Sequence, residues 1–338
     1  MGSRQRWVPW IGLAMLVAAC TGGPAGSTSP SNATLVISCT LPVYKWGGVS
    51  NGGNYSIIGQ YGFLNVVSGK FAADPTFAAS TGSYDWRSKR WLPVSMAQVL
   101  PDGSAYAYEK ELTDSFEIYV VQVATGAERM VYRMPYDNAY QILAFQPEGI
   151  YVYPIMHRSG LPGGLWLLDP ATSALKPFPT SMDGTWQLVS GGAAWGGPGG
   201  MAGDKLVRLD LTTGVLTTWV QRKVQGAVFE GMGYGVSVIG FDGSGRPLVE
   251  VFPPFDFRAS PAPQPKPDVW LVSSPGQATQ VLGLQVPQQG VATGVSDPHG
   301  MWVEGRDGVY LYANGGFRKV APLPAVPENN YMLLGTCG

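Results

Sequence analysis

"EIYVVQVATGAERMVYR", residues 117–133, is a strand, a tight turn and a second strand. Ile118 to Val123 is β-branched and aromatic, Ala124-Thr125-Gly126 supplies turn chemistry, and Met130 to Tyr132 resumes the apolar run. A hairpin of this size is marginal in water on its own. It needs a cover, and the chain provides one by repeating it. "LWLLDPATSALKPF" (165–178) and "LVRLDLTTGVLTTWV" (206–220) have the same layout. "VWLVSSPGQATQVL" (269–282) and "VYLYANGGFRKVA" (309–321) keep it with altered turns, and "YDWRSKRWLPV" (84–94) is a more polar copy. Successive copies start about 45 residues apart on average.

A second hairpin precedes each copy. "VLPDGSAYAYEK" (99–110), "AFQPEGIYVYP" (144–154), "VSGGAAWGG" (189–197), "IGFDGSGRPLVEV" (239–251) and "VSDPHGMWVEG" (295–305) each put a glycine turn before a strand. "GQYGFLNVVSGKF" (59–71) is the least regular member. Each unit therefore holds four strands in about 45 residues, the pattern of a β-propeller. A lone four-stranded sheet covers neither of its faces, whereas sheets packed face to face around an axis cover one another. The expectation is an all-β propeller of six four-stranded blades, or seven if "NATLVISCT" and the 55–71 region form a sheet of their own.

Composition agrees. The chain has 338 residues, 45% hydrophobic and 13% charged, with 46 glycines and 28 prolines. Gly and Pro are poor in helix interiors and favoured in turns, and the apolar content is sufficient to fill a core. The net charge is −1 with no basic run, which argues against a nucleic-acid partner.

"LPDGSAYAYEK … IYVVQVATGAERMVY" (100–132) resembles a blade of TolB-like and WD-repeat-like bacterial propellers. Those blades carry a Pro-Asp-Gly turn before the second strand and then an Ile-Tyr-Val…Thr-Gly hairpin. The close match covers about a tenth of the chain; the WD dipeptide is absent. The resemblance implies the fold and little about function, because propellers host many functions.

The N-terminus "MGSRQRWVPWIGLAMLVAAC" has Arg4 and Arg6 and then an apolar stretch from Trp7 to Ala19, the layout of a secretory signal. That stretch is short for a membrane span. Val17-Ala18-Ala19-Cys20 resembles the lipobox of bacterial lipoproteins, which implies acylation of Cys20. The expected organisation is a signal peptide over 1–19, a flexible tether over 20–34 reaching about 20 Å, and the propeller over 35–338. The expected location is the bacterial cell membrane, lipid-anchored on its extracytoplasmic face, and the expected state is a monomer. Cys39 and Cys337, the two remaining cysteines, are expected to pair in an oxidising compartment. Their bond would staple "LVISCTLPVY" (35–44) to "NYMLLGTCG" (330–338) and close the ring.

"GVSNG" (48–52) matches G-x-S-x-G, but it lies between strands and not on a strand-to-helix elbow. His157 and His299 are the only histidines, and both fall in loops or turns. "DGSG" (242–245) lacks the further oxygens of a calcium loop. Asp102, Glu148, Asp242 and Asp297 are explained by turn chemistry. No metal and no cofactor is expected. Trp166, Trp270 and Trp302 read as core between blades, while Trp46, Trp186 and Trp195 lie near strand ends, where they would line a rim. "FPPFDFRASPAPQPKPD" (252–268) reads as an extended insertion between strands. Its Phe255 and Phe257 either cap a sheet edge or serve, with Phe252, as a recognition arm. The candidate binding residues are therefore Trp46, Trp186, Trp195, His299, Phe255 and Phe257. The favoured function is a non-catalytic binding or scaffold module for a peptide, protein or glycan. The alternative is a propeller enzyme of lyase or glycosidase type, with its site at the central channel.

Overall fold

The computed structural model describes residues 37–51, 54–79, 81–154, 164–178, 184–198, 203–221, 235–252, 267–284, 293–322 and 330–338. Among them there is no α-helix, only two 3₁₀ turns, at Met96–Gln98 and Tyr136–Asn138. The opening hairpin is present as Ser115–Gln122 and Glu128–Pro135, paired antiparallel from Ser115↔Pro135 to Val121↔Glu128. Gly126, at φ 69°, makes the turn, where an L side chain would be strained.

The strands form seven sheets. Sheet 1 joins Thr40–Asn51, Asn54–Asn65 and Phe71–Ala73 to the C-terminal strand Asn330–Leu333. Sheet 2 is the hairpin Ser83–Asp85 and Arg90–Leu92. Sheet 3 holds Ala105–Glu111 and the opening hairpin, and Val99 adds one bridge to Tyr106 on its inner side. Sheet 4 runs Tyr140–Gln146, Gly149–Pro154, Trp166–Leu168 and Leu175–Pro177. Sheet 5 runs Gly184–Ser190, Ala193–Pro198, Lys205–Asp210 and Leu216–Gln221. Sheet 6 runs Val236–Phe241, Pro247–Val251, Asp268–Ser274 and Gln277–Gln280. Sheet 7 runs Gly294–Asp297, Gly300–Gly305, Gly308–Ala313 and Gly316–Pro322.

Seven core clusters fill the seven interfaces between successive sheets. Trp91 and Tyr84 of sheet 2 meet Tyr61 and Phe63 of sheet 1. Leu92 meets Val123 between sheets 2 and 3, and Ile118 meets Ile142 and Ile150 between 3 and 4. Tyr151 meets Trp186 and Val207 between 4 and 5. Trp195 and Leu206 meet Val238 and Val249 between 5 and 6. Leu248 and Ile239 meet Met301 and Val303 between 6 and 7. Trp302 and Leu311 meet Leu41, Leu64 and Leu333 between 7 and 1. The last contact closes the ring, so the chain is a β-propeller. Six of its sheets have three or four strands, and the seventh is the short sheet 2. The N-terminal region forms its own sheet, and the 84–94 hairpin stands apart from it because Asn330–Leu333 occupies the inner edge of sheet 1.

Half-buried polar side chains fix neighbouring sheets in register. Gln187 of sheet 5 donates to Val236 O and accepts from Val238 N of sheet 6, at 2.9 and 2.7 Å. Glu109 of sheet 3 accepts from Ile142 N of sheet 4 at 2.5 Å, and Glu304 of sheet 7 accepts from Leu333 N of sheet 1. Non-directional apolar packing alone would let blades slide; a backbone partner for each of these groups does not.

Candidate functional site

In sheets 4 to 7 the first strands, Tyr140–Gln146, Gly184–Ser190, Val236–Phe241 and Gly294–Asp297, contact one another in succession and form the inner wall, a place taken by Asn330–Leu333 in sheet 1 and by Val99 in sheet 3. Turns leaving these inner strands therefore gather at one end of the ring. They include Leu100–Gly103, Pro147–Glu148 and Asp297–Gly300, together with the chain's exit beyond Leu333. At this end a cleft of about 270 Å³ opens. Four separate segments line it: Tyr84–Arg87 of sheet 2, Met96–Gly103 ahead of sheet 3, Gln146 of sheet 4 and Thr336 of the C-terminal tail.

The cleft's polar groups are largely committed to building it. Asp85, 5% exposed, accepts from Arg87 N and Ser88 N at 3.2 and 3.0 Å. Trp86 Nε1 donates to Thr336 O at 2.7 Å, and Arg87 Nη1 donates to Pro101 O. The remaining guanidinium N–H groups, the Gln146 amide and the apolar surface of Met96 and Leu100 also line the cleft.

The tail is anchored beside this cleft. Cys39 and Cys337 form the expected disulfide, Cα atoms 5.6 Å apart. Thr40 and Gly338 exchange two backbone hydrogen bonds, Leu334 N donates to Pro42 O, and Tyr84 N donates to Leu334 O. Asp297, its side chain 3% exposed, accepts from Trp302 Nε1, His299 N and Cys337 N at 2.6, 2.7 and 3.1 Å. His299 Nδ1 lies 3.2 Å from the same carboxylate. Asp297, His299 and Cys337 thus cluster within 4.8 Å. The Cys337 sulfur is bound in the disulfide and both Asp297 oxygens are occupied, so the group works as a clasp and offers little to a metal ion.

The other candidates fall in different places. His299 is exposed on this end of the ring. Trp46 is half-buried in sheet 1, opposite Gly59 and Asn330. Trp186 and Trp195, expected at a rim, are 1% and 3% exposed and pack inside the interfaces of sheet 5. They sit near strand ends, but a neighbouring sheet covers each strand on both faces. Trp302 is fully buried, as expected for core, and Trp166 and Trp270 are half-buried, each packed against the core of its own interface. "DGSG" is a plain turn in which Asp242 caps Ser244 N and binds Arg246. Ser50 of the G-x-S-x-G match lies in the strand Thr40–Asn51, with no elbow. Cys20, His157, Phe255 and Phe257 lie outside the described residues. Sequence reading missed Trp86, Arg87, Gln146 and Thr336 as one site. The Trp86-Arg87 pair within the polar hairpin was a signal, but nothing local tells that residue 336 meets it.

No family model matches the chain, and no curated protein matches it. Solved structures do. TolB from Acinetobacter baumannii is 13% identical over 87% of this chain and 65% of its own, with a TM-score of 0.40. The β-propeller domain of the Trilobed protease from Pyrococcus furiosus is 11% identical over 85% and 86%, at 0.36. A protein from Lactobacillus plantarum is 12% identical over 86% and 99%, at 0.45. The chain thus spans about two thirds of that TolB, and 42% of a prolyl endopeptidase chain that it also resembles.

Proposed function

We propose that this chain is a lipid-anchored, extracytoplasmic binding module that presents the cleft beside its C-terminal tail to a peptide, protein or glycan ligand. One observation supports this reading above the enzymatic one. The cleft is assembled from four distant segments, and its carboxylate, Asp85, is spent on turn N–H groups. Acid–base catalysis needs a carboxylate or imidazole free to exchange a proton at the substrate. The nearest such pair, Asp297 and His299, is engaged in the clasp.

The experiment is a peptide array and a glycan array probed with the mature protein and with Arg87→Ala/Gln146→Ala. Specific spots lost in the double variant support the site, and the array that shows them gives the ligand class. Identical spots for both proteins would move binding elsewhere, and hydrolysis or elimination products on either array would favour the enzyme. Anchoring is tested separately. Intact-mass analysis of membrane-fraction protein is expected to find a diacylglyceryl group on Cys20 that Cys20→Ser abolishes. An unmodified N-terminus in the wild type would overturn it.

A further inference from the structure

We infer that a second cleft, on the outer part of sheet 1, is a binding site for an organic ammonium group. This inference is independent of the tail cleft. The site encloses about 290 Å³ and is lined by Tyr44, Gly59, Gln60, Tyr61, the Ala73–Pro75 stretch and the Phe77–Ala79 stretch.

Three aromatic rings form its walls. Tyr44 and Tyr61 are 4.8 Å apart and tilted by 50°. Phe77 stands edge-on to Tyr61 at 4.7 Å and 89°. The three lining rings thus pack on one another at different angles. They are backed by Trp91, which stacks on Phe77 at 5.5 Å and meets Tyr61 at 5.3 Å. The placement of Tyr44 depends on a glycine: a Cβ on Gly59 would lie 1.8 Å from the Tyr44 hydroxyl. The ring lies across the bare backbone of the neighbouring strand, so the sequence has made room for it.

The one charged group in the lining is Asp74. Its Oδ1 accepts from Thr76 N and Thr76 Oγ1 at 3.0 and 2.6 Å, and its Oδ2 accepts from Trp91 Nε1 at 3.0 Å. These bonds fix the carboxylate in place and hold its pKa below the usual range. Among the described residues, no lysine, arginine or histidine lines the cleft. Aromatic faces are electron-rich, and a cation over them is attracted at close range. Several such faces beside an ionised carboxylate, with no counter-cation in the lining, are matched by a positive ligand. The alkylated ammonium group fits best, because its methyl groups meet the rings while its charge faces Asp74.

The probe is choline, titrated against the intact mature protein by calorimetry and by tryptophan fluorescence. Its control is 3,3-dimethylbutan-1-ol, which has the same shape without the charge. Choline is expected to bind about tenfold or more tightly than the neutral isostere. Asp74→Asn removes the charge, keeps one oxygen for Thr76 and sets an amide nitrogen opposite Trp91 Nε1; it is expected to weaken choline by a similar factor, with the isostere unaffected. Phe77→Leu is expected to weaken choline as well. Circular dichroism melts identify any variant that has lost its fold, and the wild-type comparison of choline with its isostere stands whatever the variants do. Equal binding of the two probes would overturn the inference. So would no binding of choline, or tighter binding of a neutral methyl glycoside than of choline.

Discussion

Glu304 shows how one side chain carries a blade interface and what that costs. It accepts from Leu333 N and from Thr293, across the contact between sheets 7 and 1, and its Oε2 is buried with no hydrogen-bond partner. Burial penalises the charged form and raises its pKa from 4.5 to about 7. The folded protein therefore holds a proton between about pH 4.5 and 7 that the unfolded chain has released. The group's contribution to stability is complete below pH 4.5 and falls as pH rises to about 7. Glu304→Gln keeps a neutral acceptor for Leu333 N and removes the titration. Thermal melts from pH 4 to 8 are expected to show the variant gaining on the wild type as pH rises through this window. Parallel curves for the two proteins would show that Glu304 does not titrate there. Glu109 makes the equivalent bridge between sheets 3 and 4 and is raised for the same reason, burial. Neither glutamate stood out in the sequence, where "YEKE" and "VEG" read as strand ends. Only the neighbouring blade turns a strand-end glutamate into a buried acceptor.

Sheet 2 is the element that departs most from the repeat, with two strands of three residues where sheets 4 to 7 have four strands each. Seven rings, those of Tyr44, Tyr61, Phe63, Phe77, Tyr84, Trp86 and Trp91, occupy its contact with sheet 1. Trp91 touches Tyr61, Phe63, Phe77 and Tyr84 and donates to Asp74. Large rings compensate for missing strands because each buries far more apolar surface than a valine. Trp91→Ala is expected to destabilise by about 3–5 kcal/mol, read from urea unfolding. Trp91→Phe is expected to cost much less, because it keeps a ring and loses only the bond to Asp74. Equal losses for the two would mean that the hydrogen bond, and not the packing, holds sheet 2. The strands themselves were legible, since alternating apolar runs and Gly-centred turns act locally. Gly103, at φ 74°, and Asp102, which caps Ser104 N, occur where "LPDGS" places them. Membership of a sheet was harder to read. "YDWRSKRWLPV" has the hairpin pattern of its relatives, and nothing within it reports that its partners come from both chain ends.

At the scale of the ring, closure is the property on which the other interfaces depend. A solenoid can end in a capped edge, but a ring needs its last sheet to meet its first, and in this chain the two ends share one sheet. Here Asn330–Leu333 takes the inner edge of sheet 1 against Val43–Trp46. The tail beyond it is held by the Cys39–Cys337 bond, the Thr40–Gly338 pair, the backbone bonds of Leu334 to Pro42 and Tyr84, Asp297 of sheet 7 and Trp86 of sheet 2. The disulfide was foreseeable because the two cysteines flank the strands that must meet where the ring closes. The roles of Asp297 and Trp86 were not, since their partner lies 40 residues from one and 250 from the other. The bond closes nearly the whole chain, a separation of 298 residues. Cys337→Ser is therefore expected to cost about 2–5 kcal/mol. The loss should be local in its first effect. Hydrogen exchange is expected to rise first in 40–46, 330–338 and sheet 2, while the interfaces among sheets 4, 5 and 6 keep their protection. Asp297→Ala, with the disulfide intact, should loosen the same segments more weakly, because it leaves Trp302 Nε1 and Cys337 N without their acceptor. Uniform loss of protection around the ring in Cys337→Ser would mean that the propeller opens as one cooperative unit, and that the tail supports every blade equally.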